Sequence, residues 1–421
     1  MKRESWQNLL MRSEGMTVPA MISGALSPEE IAQFMEFYRD IFREFLGRGS
    51  THLGLKVFID GIMNHAAQEG LMASPPGEVE PFTEWTERIF SPQKFGMILN
   101  NLEKYSNPFA SFAAAMTTPL LELTGVPLGG FAFLIFIGNY GFTPFGVHKD
   151  NPGEEGFLFH IGPGEKRLYT WETERFLELS GGNHLHTRPE EILSEAENVF
   201  ILAPGDIVFL PSEVYHVADT PEFSVSMVMD FVNPPASALR RTIASRIAEG
   251  TEVRGRTDSP VDPIRQQDLD SMIPSLGMES EIRNALNALL LRLQSNGGIF
   301  APSDYRKEGG NVLPSDGEEL RISSPFRIFS RERAEDDVIL FCRGHEIHSS
   351  PHPRLKDWIS NLNGGRGYSW EEILDTFQPE WDVQNILGLL SQLKMVDGIE
   401  VCTENESSEG KDTIHITTLS T

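Results

Sequence analysis

The chain has 421 residues, enough for two or three domains, with 40% hydrophobic and 23% charged residues, the balance of a soluble globular protein. Its 61 acidic against 35 basic residues give a formal charge of −26, a surface that repels phosphate backbones and argues against a nucleic-acid partner. Two cysteines, Cys342 and Cys402, make neither a CxxC pair nor a disulfide framework, and with no apolar leader in MKRESWQNLLMRSEGMTV this composition suits a reducing, cytoplasmic setting without a membrane partner.

Residues 1–125 read as a mainly helical region. LSPEEIAQFMEFYRDIFREFL (26–46) opens with Ser27 as N-cap, Pro28 at the first helical position and Glu30 closing a capping box. Apolar residues Ile31, Phe34, Met35, Tyr38 and Phe42 follow at helical spacing. A Pro/Gly/Glu stretch, SPPGEVEPF (74–82), precedes a second helical portion placed at about 91–123.

The texture changes over 126–235. The runs FAFLIFIG, GFLFHIG, KRLYTWE, NVFILA, DIVFLP and FSVSMVMDFV alternate with Gly/Pro turns, the signature of a sandwich or barrel. RFLELSGGNHLHTRPEEILSEAE (175–197) interrupts them as loop plus helix. Residues 236–300 return to helical patterning, in 236–250 and 279–298, and 301–350 reads as a linker or irregular segment. In 351–421, helices over 354–363, 369–377 and 382–396 precede two β-like runs, IEVCT and TIHITTL, which together make a winged-helix pattern.

One short stretch, FGVHKDNPGEEGF, carries the chemistry. In extended backbone His148 and Asp150 share a face, because strand side chains repeat with period two. An imidazole and a carboxylate side by side supply two ligands to a divalent metal. The run PGDIVFLPSEVYHVADT (204–220) offers a third in His216. Two histidines and one carboxylate on one side of a metal leave open positions opposite, the facial arrangement of non-haem iron oxygenases. An HxD pair by itself is more often structural, and His160, on a strand near the pair, is a further but poorly spaced histidine.

The spacing around the pair resembles the cupin superfamily. His148, Asp150, Glu155 and Gly162 fall at the intervals of its first motif, and Gly205, Pro211 and His216 at those of its second. Glu213 stands where that pattern has glycine and Thr220 where it has asparagine. The resemblance implies an α+β chain: a double-stranded β-helix (cupin, jelly-roll) core with helical N-terminal and middle segments and a C-terminal winged helix. An aspartate in HxD is similar to the JmjC-type oxygenases that use Fe(II) and 2-oxoglutarate. For these, the resemblance implies His148, Asp150 and His216 on iron, with no other catalytic residue beyond the metal centre. It also implies a basic residue on the following strand to hold the far carboxylate of 2-oxoglutarate. Lys166 in GPGEKRLYTW fits that place, with Arg167 as competitor, and Thr143 resembles a hydroxyl that helps hold the same carboxylate.

The domain order resembles the ribosomal-oxygenase branch, which hydroxylates side chains of ribosomal proteins and dimerises through its middle helices. The stripe Ile282, Leu286, Leu289, Leu290 and Leu293 would serve a homodimer or an intrachain core. From 351 to 396, Arg354, Lys356, Arg366 and Lys394 stand against Asp357, Glu371, Glu372, Asp375, Glu380 and Asp382, a poor surface for phosphate. A protein or peptide substrate, a basic one by charge, is the expected partner. The rival expectations are a metal cupin acting on a small molecule without 2-oxoglutarate, and a non-catalytic binding or regulatory protein.

Overall fold

The computed structural model describes residues 1–49, 54–252, 278–304, 313–334 and 337–403. The chain divides into two compact units, one of residues 1–290 with 298–301 and one of residues 291–297 with 302–421.

The first unit begins with α1 (Arg3–Arg12), β1 (Ala20–Ile22), α2 (Pro28–Gly47), β2 (Leu55–Ile59) and β3 (Ile62–Met63). Next come α3 (His65–Met72), α4 (Phe82–Phe90), β4 (Phe95–Asn100) and α5 (Asn107–Thr124). The following strands are β5 (Phe131–Gly138), β6 (Gly141–Phe142), β7 (Glu154–Pro163) and β8 (Lys166–Trp171). After α6 (Thr173–Leu179) come β9 (Asn198–Leu202), β10 (Ile207–Leu210), β11 (Tyr215–Thr220) and β12 (Ser224–Val232), and α7 (Ala236–Glu252) closes the series.

The capping box that starts α2 forms as its sequence dictates: the Ser27 hydroxyl accepts from Glu30 N, and the Glu30 carboxylate accepts from Ser27 N. The N-terminal region is not only helical, however. FGMILN, expected within a helix, is the strand β4, and β1 to β4 all join the larger sheet. A short apolar run has no period that separates strand from buried helix, so its partners decide. Here β2 and β5 flank β4 and pair with it antiparallel.

Two antiparallel sheets result. The larger runs β1-β10-β7-β12-β5-β4-β2-β3 and the smaller β6-β11-β8-β9. In the large sheet, β12 pairs with both β5 and β7, with Asp230 opposite Ala132 and Val228 opposite Leu134 and Leu158. One face of these strands, including Ala132, Leu134, Phe136, Leu158, Val228 and Asp230, lines a pocket that the small sheet also lines through Lys166, Leu168, His216 and Ala218. The opposite face packs under helices. Trp6 of α1 meets Phe157 and Phe159 edge-on, and Phe109 of α5 meets Phe133. Burial on both faces is why β5 and β7 read as apolar runs rather than strict alternations.

The insertion between β8 and β9 packs behind the small sheet. Phe176 of α6 stacks on Tyr215 with ring centroids 3.9 Å apart, in a cluster with Val147, Trp171, Ile192 and Val217.

The second unit contains β13 (Glu318–Ile322), β14 (Phe329–Ala334), β15 (Asp337–Cys342) and β16 (His345–Ser349), following the helix α8 (Met278–Ser295), whose last residues belong to this unit. It ends with α9 (Leu355–Asn363), α10 (Trp370–Phe377), α11 (Val383–Met395) and β17 (Ile399–Thr403). The segment 301–350, expected as linker, therefore carries four strands. FSRERA and HEIHS are too polar to announce themselves, and become strands by pairing on either side of the buried DVILFC. IEVCT pairs antiparallel with β13, while TIHITTL lies outside the described residues. Trp358, Phe377, Trp381, Leu390 and Leu320 form the core of this unit, and Ser369 with Glu372 caps α10 as the sequence indicates.

Within the α8 stripe, Leu289 and Leu293 are buried by the chain itself, whereas Ile282 is exposed. Among the described residues no helix is long and apolar enough to cross a membrane.

Candidate metal and cosubstrate site

The pocket between the two sheets has a volume of about 510 Å³. His148, Asp150 and His216 line it together, and their ligand atoms all lie within 4.8 Å of one another. Among the described residues no other group of three such side chains meets that condition.

Backbone geometry makes this meeting. His148 and His216 form an isolated antiparallel bridge, with His148 N donating to His216 O at 3.1 Å and His216 N to His148 O at 2.7 Å. One residue earlier, Val147 forms a second bridge with His186 of the insertion. Gly146 is obligatory there: its φ is +75°, and a Cβ would stand 2.3 Å from the His186 carbonyl oxygen.

Both imidazoles are oriented for ligation. His148 Nδ1 donates to Gly146 O at 3.0 Å, and His216 Nδ1 donates to Val214 O at 3.2 Å, because a carbonyl can only accept. Each ring thus keeps its Nε2 lone pair for another partner. Burial, followed by the neighbouring His216, pushes the His148 pKa down; the Gly146 carbonyl and Asp150 act in the opposite direction. Two neutral nitrogen donors and a carboxylate fit a divalent first-row metal.

Glu155 and Glu213 serve the frame. The Glu155 carboxylate accepts from Ser212 N at 2.8 Å, tying β7 to the turn before β11, and burial raises its pKa. Glu213 Oε2 lies 2.6 Å from Lys149 Nζ, so the residue in place of the motif's glycine clips the turn to the stretch between the first two ligands.

Lys166 and Arg167 part company at the start of β8. Arg167 is exposed and pairs with Glu165 at 2.8 Å, while Lys166 is 1% exposed and lines the pocket. Strand alternation sends one cation inward and the other out. Lys166 Nζ sits 3.1 Å from Tyr140 Oη, over the rings of Tyr140 and Phe136. Thr143 also lines the pocket, but its hydroxyl donates to Ala218 O at 3.2 Å and accepts from Ala218 N at 3.1 Å. That hydroxyl is engaged in joining the start of this segment to β11. Tyr140, which no motif in the sequence marks, supplies the hydroxyl beside Lys166.

Elsewhere the pocket wall carries Lys56 and a group of carboxylates. Asp230 and Glu154 line it with Asp150, and Asp230 has its pKa pushed up to about 7 by burial and by Asp150, Glu154 and Glu103. Glu103 itself rises to about 7, chiefly through burial, although its carboxylate accepts from Phe133 N at 3.2 Å. The signal for Asp230 was present in FSVSMVMDFV, where a lone carboxylate interrupts a buried strand. His160 is fully enclosed and is not in the triad; it bonds Ser226 and Gly164.

No family model and no curated protein matches the chain. Solved structures do. An X-ray structure of Escherichia coli YcfD superposes with a TM-score of 0.50 at 17% identity, covering 94% of this chain and 98% of that one. A second, of YcfD described as a ribosomal oxygenase from Escherichia coli, has a TM-score of 0.50 at 16% identity, covering 94% and 97%. A third, of the same protein in complex with cobalt and 2-oxoglutarate, also gives 0.50 at 16% identity, covering 94% and 98%. The chain shares its fold with these Escherichia coli YcfD structures.

Proposed function

We propose that this chain is an Fe(II)- and 2-oxoglutarate-dependent oxygenase that hydroxylates a side chain of a protein or peptide. The observation that carries the reading is one pocket holding three convergent ligand groups and a buried lysine. His148, Asp150 and His216 would hold the metal. Lys166 and Tyr140 would hold the far carboxylate of 2-oxoglutarate by hydrogen bonds, the lysine's charge-assisted. A buried ammonium hydrogen-bonded to a phenol is a costly group, and an incoming carboxylate would compensate it. When bound, iron(II) and 2-oxoglutarate supply oxygen-dependent oxidation coupled to release of succinate and carbon dioxide. The chain's own part is to orient both and to keep bulk water out, for which Phe136, Leu134, Leu168 and Val228 are suited.

A cupin that needs no 2-oxoglutarate would have no use for an enclosed Lys166, and a purely binding protein no use for two histidines with inward Nε2 atoms. The likeness to structures of a ribosomal oxygenase supports a ribosomal protein as the substrate to try first. Asp230 and Glu154 favour a basic side chain at the pocket. The two sheets enclosing the pocket fit a double-stranded β-helix, with the core over 126–235 extended by β1 to β4. Helices α9 to α11 with β13 and β17 fit a winged helix whose acidity suits a polypeptide better than nucleic acid. A homodimer through α8 would use its exposed Met278 and Ile282. Reduced Cys342 and Cys402 fit a cytoplasmic setting.

The test is anaerobic titration of the apoprotein with Fe(II) and 2-oxoglutarate. The expected result is a visible metal-to-ligand charge-transfer band that requires both additions. Iron binding without that band would sink the 2-oxoglutarate reading.

A further inference from the structure

His160 is a buried polar side chain that the proposed chemistry does not use. It sits on β7 at a register irregularity: Ser226 is opposite His160 but Val225 is opposite Gly162, so Ile161 is the extra residue of a bulge. Beyond it β7 ends at Pro163, and the chain turns through Gly164 and Glu165 and enters β8 at Lys166.

The ring's two bonds define its tautomer. Nε2 lies 2.7 Å from Gly164 O, a pure acceptor, so Nε2 carries the proton. Nδ1 is then the acceptor, taking the Ser226 hydroxyl proton at 3.1 Å. Burial, and then the charge of Lys166, pushes the ring's pKa down to about 4, so it adds no positive charge beside the ammonium. The turn has little other freedom. Gly164 N donates to Phe223 O at 3.0 Å, and a Cβ on Gly164 would stand 2.6 Å from that oxygen. At Gly162 a Cβ would stand 2.5 Å from Pro204.

We infer that His160 is a positioning residue for the cosubstrate anchor. Its Nε2–H fixes the Gly164 carbonyl, this sets where β8 begins, and so it sets where the Lys166 ammonium stands against Tyr140. The inference rests on the 2-oxoglutarate reading and extends it to a residue that touches neither metal nor cosubstrate.

The experiment compares wild type, His160→Leu and His160→Gln in three respects. These are Co(II) affinity, 2-oxoglutarate affinity by the anaerobic Fe(II) charge-transfer band, and the steady-state KM and kcat with 2-oxoglutarate as the varied cosubstrate. Gln can donate to Gly164 O and accept from Ser226, whereas Leu can do neither. Leucine should weaken 2-oxoglutarate binding and raise its KM roughly tenfold, as expected when a displaced Lys166 loses part of its charge-assisted hydrogen bond. Its Co(II) affinity should stay within about twofold and kcat should change little, because the loss falls on binding. Glutamine should recover most of the loss. Wild-type 2-oxoglutarate affinity in a folded leucine variant would overturn the inference, as would equal loss of Co(II) and 2-oxoglutarate. If leucine prevents folding, Ser226→Ala and His160→Gln decide: both should keep the Gly164 bond and bind 2-oxoglutarate within about threefold of wild type. A larger loss in either variant with Co(II) binding intact would place the control at Ser226 or in the ring itself and reject the Gly164 bond. Absence of the band in wild type would instead reject the function on which the inference rests.

Discussion

His148 and His216 are joined by a reciprocal pair of backbone hydrogen bonds, and their ring centroids stand 4.7 Å apart. The pairing of the two histidines is therefore a property of the main chain, and the side chains can be removed without undoing it. Alanine at His148, Asp150 or His216 should abolish tight Co(II) or Fe(II) binding while shifting the melting temperature little in the metal-free protein. Titration calorimetry and circular-dichroism melts test this. A variant that binds metal as wild type does would remove that residue from the ligand set.

Lys166 and Tyr140 make different contributions to the same end of the pocket. Replacing Lys166 with Met deletes the charge and keeps much of the aliphatic stem, and should weaken 2-oxoglutarate binding by roughly 10- to 100-fold, the range for a charge-assisted hydrogen bond. Tyr140→Phe keeps the ring packed on Gly96 and loses only the hydroxyl, so a loss of about three- to tenfold is expected. Arg167→Met, at the surface, should leave the affinity unchanged. The opposite ranking of Lys166 and Arg167 would reverse the anchor assignment.

Gly146 bears directly on the ligand geometry. With φ at +75° and the His186 carbonyl 2.3 Å from any added Cβ, alanine must displace backbone rather than a flexible side chain. Gly146→Ala should cost about 3 kcal/mol or more of stability and lower metal affinity as well. A denaturant melt matching wild type would show that the bridge to the insertion is not needed.

Glu103 gives a pH prediction with a definite sign. Its carboxyl ionises at about 7 in the folded chain against 4.5 ordinarily, with burial as the main cause. Across that window the folded state holds a proton that the unfolded state has lost, so Glu103 makes stability fall as pH rises. Glu103→Gln keeps an acceptor for Phe133 N and cannot ionise. Its melting temperature relative to wild type should therefore increase from about pH 5, most steeply around pH 6 between the two ionisation values, and level off above about pH 7. Parallel pH profiles for the two proteins would contradict the buried, protonatable carboxyl.

A substitution at Asp230 would test substrate binding apart from cosubstrate binding. Asp230→Asn should lower kcat/KM for a basic substrate by roughly tenfold, the cost of losing one charged hydrogen-bond partner in a half-buried setting, and leave 2-oxoglutarate affinity intact. Unchanged selectivity between basic and neutral peptides would argue against the pocket carboxylates as a specificity element.

How much of this was legible in advance depended on whether the information was local. The α2 and α10 capping boxes, and the opposite facing of Lys166 and Arg167, follow from neighbours a few residues apart, but which of the two faces in was decided by the sheet. The spacing of His148 and Asp150, and the later His216, marked a candidate ligand set, but not that main-chain bonds would hold the histidines together. The strands in 301–350 were hidden because FSRERA and HEIHS owe their conformation to the buried strand between them. FGMILN failed for the same reason, since its strand partners are supplied by β2 and β5.

Composition and short periodicity act within a few residues, and they were enough to mark the candidate ligands, the acidic surface and the order of helical and β-rich regions. The closed fold was needed to establish that the Tyr140 hydroxyl stands beside Lys166 while that of Thr143 bonds Ala218, and that the buried Glu103 and the half-buried Asp230 ionise near neutrality. Those outcomes depend on sheet register and on desolvation, which arise only when strands distant along the chain close around a common pocket.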